Sequence, residues 1–211
     1  FASIADVTAR ARLTRAEVDL LAQAGAFSAW EPDRRKAAWE ALRSANDPLP
    51  LAPARVVPDD IIEYDLDSNP CNANGRTSFL ERFIHGEIYR TRPDVMSIVH
   101  SHSPSVIAFG LSHTPMRAMY HNAAFLAAGV PVFDIREKFG ATDIVISSPD
   151  KGAALAETLA DKPAVLMRGH GAVIVAKNLP DAVARSVYLE VNARVQAQAM
   201  SLGSSPRYLY P

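Results

Sequence analysis

The sequence predicts an α/β sandwich with a mainly antiparallel central sheet, and three observations lead there. Helical and strand patterns alternate without a regular βαβ period. Several strand pairs are separated only by turns. The 211 residues, 48% of them apolar, suffice for one substantial core but not for two full domains. A single domain over 1–211 is therefore expected, with a helical N-terminal part over 1–55 and the main body over 60–202.

Two helices open the chain. The first runs over 14–24, where Glu17 follows a Thr cap by three residues, and the second over 33–44, after Pro32. A proline-rich stretch (Pro48, Pro50, Pro53, Pro58) leads into a strand over 61–66. The turn Asp67-Ser68-Asn69-Pro70 then makes a hairpin whose return strand reaches Cys71. Over 78–89, Leu80, Phe83, Ile84 and Ile88 recur at three- and four-residue spacing, the mark of a helix with one buried face, closed by Pro93. A β-branched strand over 95–102 and a helix over 103–111 follow, then strands over 130–135 and 143–147 and a helix over 150–160. Strands over 164–167 and 172–176 flank a glycine turn. A long helix over 180–202 ends the fold, with Val183, Val187, Val191 and Val195 on one stripe.

Composition excludes several classes of function. The formal net charge is −1 with both signs interspersed, so no basic stripe points to nucleic acid and no polybasic helix to a membrane. The expected partner is a small molecule. One cysteine, Cys71, rules out an intrachain disulfide and a cysteine-rich zinc site, so any metal must rely on histidines and carboxylates. No apolar run approaches the roughly 20 residues of a membrane span, and Phe1-Ala2-Ser3 does not resemble a signal peptide, so the cytoplasm is the expected compartment. There is no solenoid-length repeat, no GxGxxG and no Walker loop, which argues against nucleotide binding.

Chemistry concentrates in the histidines. A lone histidine at a strand end is ordinarily just hydrogen-bonded, but His100 and His102 are two apart on one strand and so project from the same face, as a chelate requires. His170 lies in Arg168-Gly169-His170-Gly171 between two apolar strands, where flanking glycines remove bulk and permit unusual backbone angles. Three imidazoles leave coordination positions open, as in catalytic rather than structural sites. Glu81 and His85, four apart, share one face of the preceding helix and are the acid/base candidates, although Glu81 also stands beside Arg82 as a plain ion-pair partner. His113, in Leu-Ser-His-Thr-Pro, reads as a loop residue; His121, ahead of an apolar segment, is a third catalytic candidate.

Glu81, the helix ending in Arg92-Pro93-Asp94, His100-x-His102 and the later His170-Gly171 together resemble the class II aldolase/adducin-head family, over about 60–202. The resemblance implies a three-layer sandwich with helices flanking the sheet and a metal bound by His100, His102 and His170. It further implies Glu81 as acid/base or additional ligand, and a homotetramer or larger homo-oligomer with the site near a subunit interface. Family aldolases hold a sugar phosphate with a Gly-Asn-x-Ser stretch and a Ser-Gly-Thr-like loop, neither of which is visible over 44–58, and they use a tyrosine where this chain has His121.

The segments 80–89, 102–107 and 129–135 resemble the branch that decarboxylates hydroxylated aromatic dicarboxylates: a hydroxypyridine dicarboxylate of vitamin B6 breakdown and dihydroxyphthalate. Residues 30–54 depart from that branch. The implied function is decarboxylation of a hydroxylated benzene or pyridine dicarboxylate through a metal-stabilised, enolate-like intermediate. Glu81, His85 and His121 are then the catalytic candidates, and Arg168, Arg82 and Tyr120 the substrate-binding ones. The cofactor is one divalent ion, zinc or manganese first, with iron or cobalt as alternatives. Two other functions compete: an aldolase or isomerase of a small, non-phosphorylated hydroxy-carbonyl compound, and a non-catalytic adducin-like module, which the intact histidine motifs oppose.

Overall fold

A computed structural model describes residues 61–203 and 205–209, together with Ser3, Ala11, Leu21 and Ala26. The chain divides into two compact units, Phe1–Asp60 and Ile61–Pro211. Apart from those four residues, the helices expected over 14–24 and 33–44 lie outside the described residues, as does the proline-rich stretch.

In the second unit the order is α1 (Arg82–Thr91), β1 (Ser97–Ser101), α2 (Pro104–Leu111), a 3-10 helix (His121–Ala128), β2 (Val132–Phe133), α3 (Ile135–Phe139), α4 (Pro149–Leu159), β3 (Ala164–Met167), β4 (Gly171–Ala176) and α5 (Leu179–Ser201). The sheet order is β1-β4-β3-β2. β4 is antiparallel to both β1 and β3, whereas β2 runs parallel to β3. The sheet is thus mixed, with antiparallel pairs in the majority among the described strands.

Period-two alternation distributes the core between two faces. Val165, Met167, Val173 and Val175 join Ile84, Ile88, Leu155 and Leu159 under α1 and α4. Ala164, Leu166, Ala172 and Ile174 join Val106, Phe109 and Leu189 under α2 and α5. Each fully buried Val, Leu, Ile or Met side chain contributes about 1.5–3 kcal/mol. β3 and β4, inside the sheet and covered on both faces, are buried along their whole length.

Three expectations change. The helix expected from 78 begins only at Arg82, whose guanidinium donates to the Phe79 carbonyl ahead of it, and Leu80 is exposed rather than on the buried face. The strand expected over 61–66 shrinks to one antiparallel bridge, Tyr64 with Pro70, around a turn in which Asp65 accepts from the Asp67 and Asn69 N–H groups. The segment 143–147 is no strand: Ile144 has φ +57°, and Thr142 and Asp143 side chains take the N–H groups of Ile144 and Val145.

The valine stripe of α5 is also corrected. Val183 and Val187 are exposed, and the buried face is Ala182, Leu189, Asn192, Ala193 and Gln196. The two amides bind a neighbouring segment as a strand would. Asn192 accepts from Met119 N–H (2.8 Å) and donates to the Arg117 carbonyl (2.8 Å). Gln196 accepts from Arg117 N–H (2.9 Å) and donates to the Pro115 carbonyl (2.8 Å).

A candidate metal centre

Three strand ends meet at one edge of the sheet. His100 and His102 leave the C-terminal end of β1, β4 begins beside them at Gly171, and the tight turn from β3 carries His170. Gly169 in that turn has φ +70°, a conformation that other residues resist. Gly171 serves differently: a Cβ there would stand 2.2 Å from the Ser101 carbonyl oxygen and 3.1 Å from the His102 ring. Only glycine lets β1 and the His170 turn approach so closely.

The three imidazoles converge by their Nε2 atoms. His102 Nε2 lies 3.0 Å from that of His100 and 2.9 Å from that of His170. Glu81, 6% exposed at the N-cap of α1, does not cap its helix. Its Oε2 reaches His100 Nε2 at 3.2 Å and His170 Nε2 at 3.4 Å, while Oε1 accepts from the Ile146 N–H at 3.1 Å. The four ligand atoms all lie within 4.8 Å of one another.

Backbone carbonyls decide which ring nitrogen is free. His100 Nδ1 is 3.1 Å from the Ala172 carbonyl oxygen, and His170 Nδ1 is 2.7 Å from that of Ile144. A carbonyl only accepts, so both Nδ1 atoms carry the proton and, in the neutral rings, both Nε2 atoms present lone pairs. Two such lone pairs and the Glu81 oxygen, all acceptors, face one another in this cluster, an arrangement a cation satisfies. For ligand bonds of about 2.0–2.2 Å, neighbouring donor atoms stand roughly 3–3.5 Å apart, so the donor set fits a divalent metal ion. Ile144 takes its place here through strain: a β-branched residue in the left-handed region is disfavoured, yet that conformation aims its carbonyl at His170.

Burial works to raise the Glu81 pKa, but when a proton rather than a cation sits on the Nε2 atoms, the hydrogen bonds that His100 and His170 then donate, with that from the Ile146 N–H, outweigh it and hold the carboxyl well below its usual range. The hydrogen bond to Glu81 pushes the His170 pKa up, against the effect of burial. Burial first, and repulsion from His100 and His170 second, push His102 down.

The other expected residues are not among the donor atoms of this cluster. His85 lines a cavity of about 350 Å³ between the 61–70 turn and α1, with Tyr64, Phe79, Arg82 and Tyr89; none of the four cluster residues borders it. Burial, then the nearby His100, push the His85 pKa down. Arg82 donates to the Ser68 and Phe79 carbonyls and lies 4.3 Å over the Phe83 ring. Arg168 is paired with Asp134, which also holds Arg136 at 2.9 Å. His121 is exposed at the start of the 3-10 helix, edge-on to Tyr120 at 5.9 Å, and the Tyr120 hydroxyl is buried without a hydrogen-bond partner among the described residues. His113 is exposed. Sequence reasoning missed the Ala172 and Ile144 carbonyls and the Ile146 N–H, because backbone groups carry no residue signature.

This fold, with its cluster at one sheet edge, is the class II aldolase fold: it matches an L-fuculose 1-phosphate aldolase structure with a TM-score of 0.62 at 24% identity, over 73% of this chain and 68% of that one. The chain belongs to the family described as Class II Aldolase and Adducin N-terminal domain, whose model matches residues 13–197. It is 35% identical over 158 residues to the decarboxylase tropJ of Talaromyces stipitatus, covering 69% of this chain and 59% of that protein. It is 28% identical over 155 residues to the 3,4-dihydroxyphthalate decarboxylase of Arthrobacter keyseri, covering 69% and 60%. The chain thus spans about three-fifths of the length of these relatives, and the expected resemblance to the decarboxylase branch is borne out. No described helix is long and apolar enough to cross a membrane.

Proposed function

We propose that the chain is a divalent-metal-dependent carbon–carbon lyase that decarboxylates a hydroxylated benzene or pyridine dicarboxylate, in the cytoplasm, as a homotetramer or larger homo-oligomer. The observation that carries this reading is the convergence of three imidazole Nε2 atoms and the Glu81 carboxylate in a chain similar to two decarboxylases. His100, His102 and His170 hold the ion, with zinc or manganese first and iron or cobalt as alternatives, since imidazole donors serve all four. When bound, the ion supplies Lewis acidity for the electron pair left on the substrate by the departing carbon.

The chain's own residues supply orientation and protons. One carbon–carbon bond breaks, carbon dioxide leaves, and the ring carbon receives a proton in its place. Glu81, held by the Ile146 N–H and turned toward two imidazoles, completes the donor set or carries that proton. His121, exposed beside Tyr120, and His85, in the cavity under the 61–70 turn, are the other proton carriers. Arg168 and Arg136 share one carboxylate, Asp134, which leaves one positive charge in excess for a substrate carboxylate. Arg82 bonds only neutral carbonyls among its described polar partners, so its charge too is available to a carboxylate.

A second reading, cleavage or rearrangement of a small non-phosphorylated hydroxy-carbonyl compound, uses the same donor set, because there too an electron pair is left on a carbon beside an oxygen. Carbon dioxide release from a panel of ortho-hydroxy aromatic dicarboxylates separates the two. Release that requires both added metal and His100, tested with His100→Ala, supports the decarboxylase. A metal-loaded protein that releases none refutes it and turns the question to aldol cleavage.

A further inference from the structure

The three imidazoles are not held alike. His100 and His170 are each anchored through Nδ1 to a backbone carbonyl, whereas His102 has no Nδ1 partner among the described residues and its side chain is exposed. A ligand without such an anchor depends on the backbone that carries it. On one side that backbone meets Gly171, where no side chain would fit. On the other it passes directly into Ser103.

Ser103 is the N-cap of α2, with Pro104 at the first helical position. A serine there normally turns its oxygen to the N–H groups of the first turn. Ser103 makes no capping bond; its hydroxyl donates instead to Glu190 Oε2 on α5, 87 residues further along the chain. The other oxygen of Glu190, Oε1, meets Arg194 Nε at 3.2 Å. Both carboxylate oxygens are therefore committed, on a side chain only 22% exposed and a helix anchored in the core by Leu189 and Ala193.

We infer that Glu190 is a positioning residue for the metal centre: through the Ser103 hydroxyl it fixes the backbone that aims His102, doing for this ligand what the Ala172 and Ile144 carbonyls do for the other two. The inference rests on the reading that His100, His102 and His170 bind a metal. Partners that orient ligands typically contribute 10–100-fold in metal affinity. The described polar partners of Glu190 are Ser103 and Arg194 and not a donor atom, so its effect is on the geometry and affinity of the site.

The test is titration of the metal-free full chain with Co²⁺, reading the dissociation constant and the visible d–d absorption, for the wild type, Glu190→Ala, Glu190→Gln, Ser103→Ala and the double alanine variant. Glu190→Ala and Ser103→Ala should each weaken binding about 10–100-fold and shift the absorption. The double variant should add little to either, because the two act as one unit. Glu190→Gln, which can still accept from Ser103, should stay within a few-fold of wild type, and thermal unfolding of the metal-free forms verifies that every variant is folded. Unchanged affinity and spectrum in Glu190→Ala overturn the inference, as does a loss that Ser103→Ala does not share or that Glu190→Gln does not rescue. A wild type that binds no Co²⁺ overturns instead the metal-site reading on which the inference rests.

Discussion

His102 and His170 are 68 residues apart in the chain, yet their Nε2 atoms stand 2.9 Å from each other. The His170 atom is a lone pair in the neutral ring, because its Nδ1 proton is given to the Ile144 carbonyl. Contacts of this kind are stable only with a proton or a cation between the nitrogens, and the consequences can be measured.

Metal should stabilise the fold. An ion that binds the native state alone adds about 2.7 kcal/mol at a free concentration one hundred times its dissociation constant. Thermal unfolding of the full chain with and without a chelator should show the shift, and His170→Ala should abolish it. A wild-type melting temperature indifferent to zinc, manganese and chelator alike would argue against a metal at this cluster.

Gly171→Ala should damage both fold and site. The new Cβ would lie 2.2 Å from the Ser101 carbonyl oxygen, so β1 and β4 must separate where Ser101 pairs with Ala172. A loss of about 1–3 kcal/mol in urea denaturation is expected, together with weaker metal binding, because His102 lies against the same point. Wild-type behaviour in both assays would contradict the close approach.

Asn192 is fully buried and satisfies Met119 N–H and the Arg117 carbonyl. Asn192→Ala strands both groups and should cost about 2–4 kcal/mol in chemical denaturation, more than a solvent-facing polar truncation on the same helix. An effect below about 0.5 kcal/mol would mean that the 115–119 segment does not depend on this amide.

Asp134 links pH to stability. Hydrogen bonds from Arg136 first, and from Arg168 with it, outweigh the opposing effect of burial and hold its carboxyl well below the usual range. With the folded-state pKa depressed, its contribution is present above the unfolded value of about 3.9 and is lost as the pH falls through the folded value. Asp134→Asn should therefore lower the melting temperature at neutral pH, and the gap to wild type should narrow in acid. A gap that is constant or widens in acid would show that the ion pairs are not its source.

Much of the layout was legible because it rests on local periodicity. The apolar spacing around Ile84 and Ile88 marked the buried face of α1, and strand alternation put His100 and His102 on one side. Periodicity misled where the spacing was only approximately helical. Steps of four residues advance about 40° around a helix, so a row from Val183 to Val195 winds away from any one partner. The row that stays in register carries Asn192 and Gln196, whose polarity hid it from a hydrophobic reading. The segment 143–147 looked like a strand by composition, but side-chain hydrogen bonds and the positive φ of Ile144 turn it into a loop.

The sequence by itself determined which residues could serve as donors, because residue identity and a two-residue spacing on one strand are local properties. Only the tertiary structure decided that Glu81 and His170 join that pair, that Ala172 and Ile144 leave two Nε2 lone pairs free, and that Ser103 answers to Glu190. Those relationships span 19 to 87 residues, so no local pattern records them, and two of them end on backbone carbonyls, which every residue possesses alike.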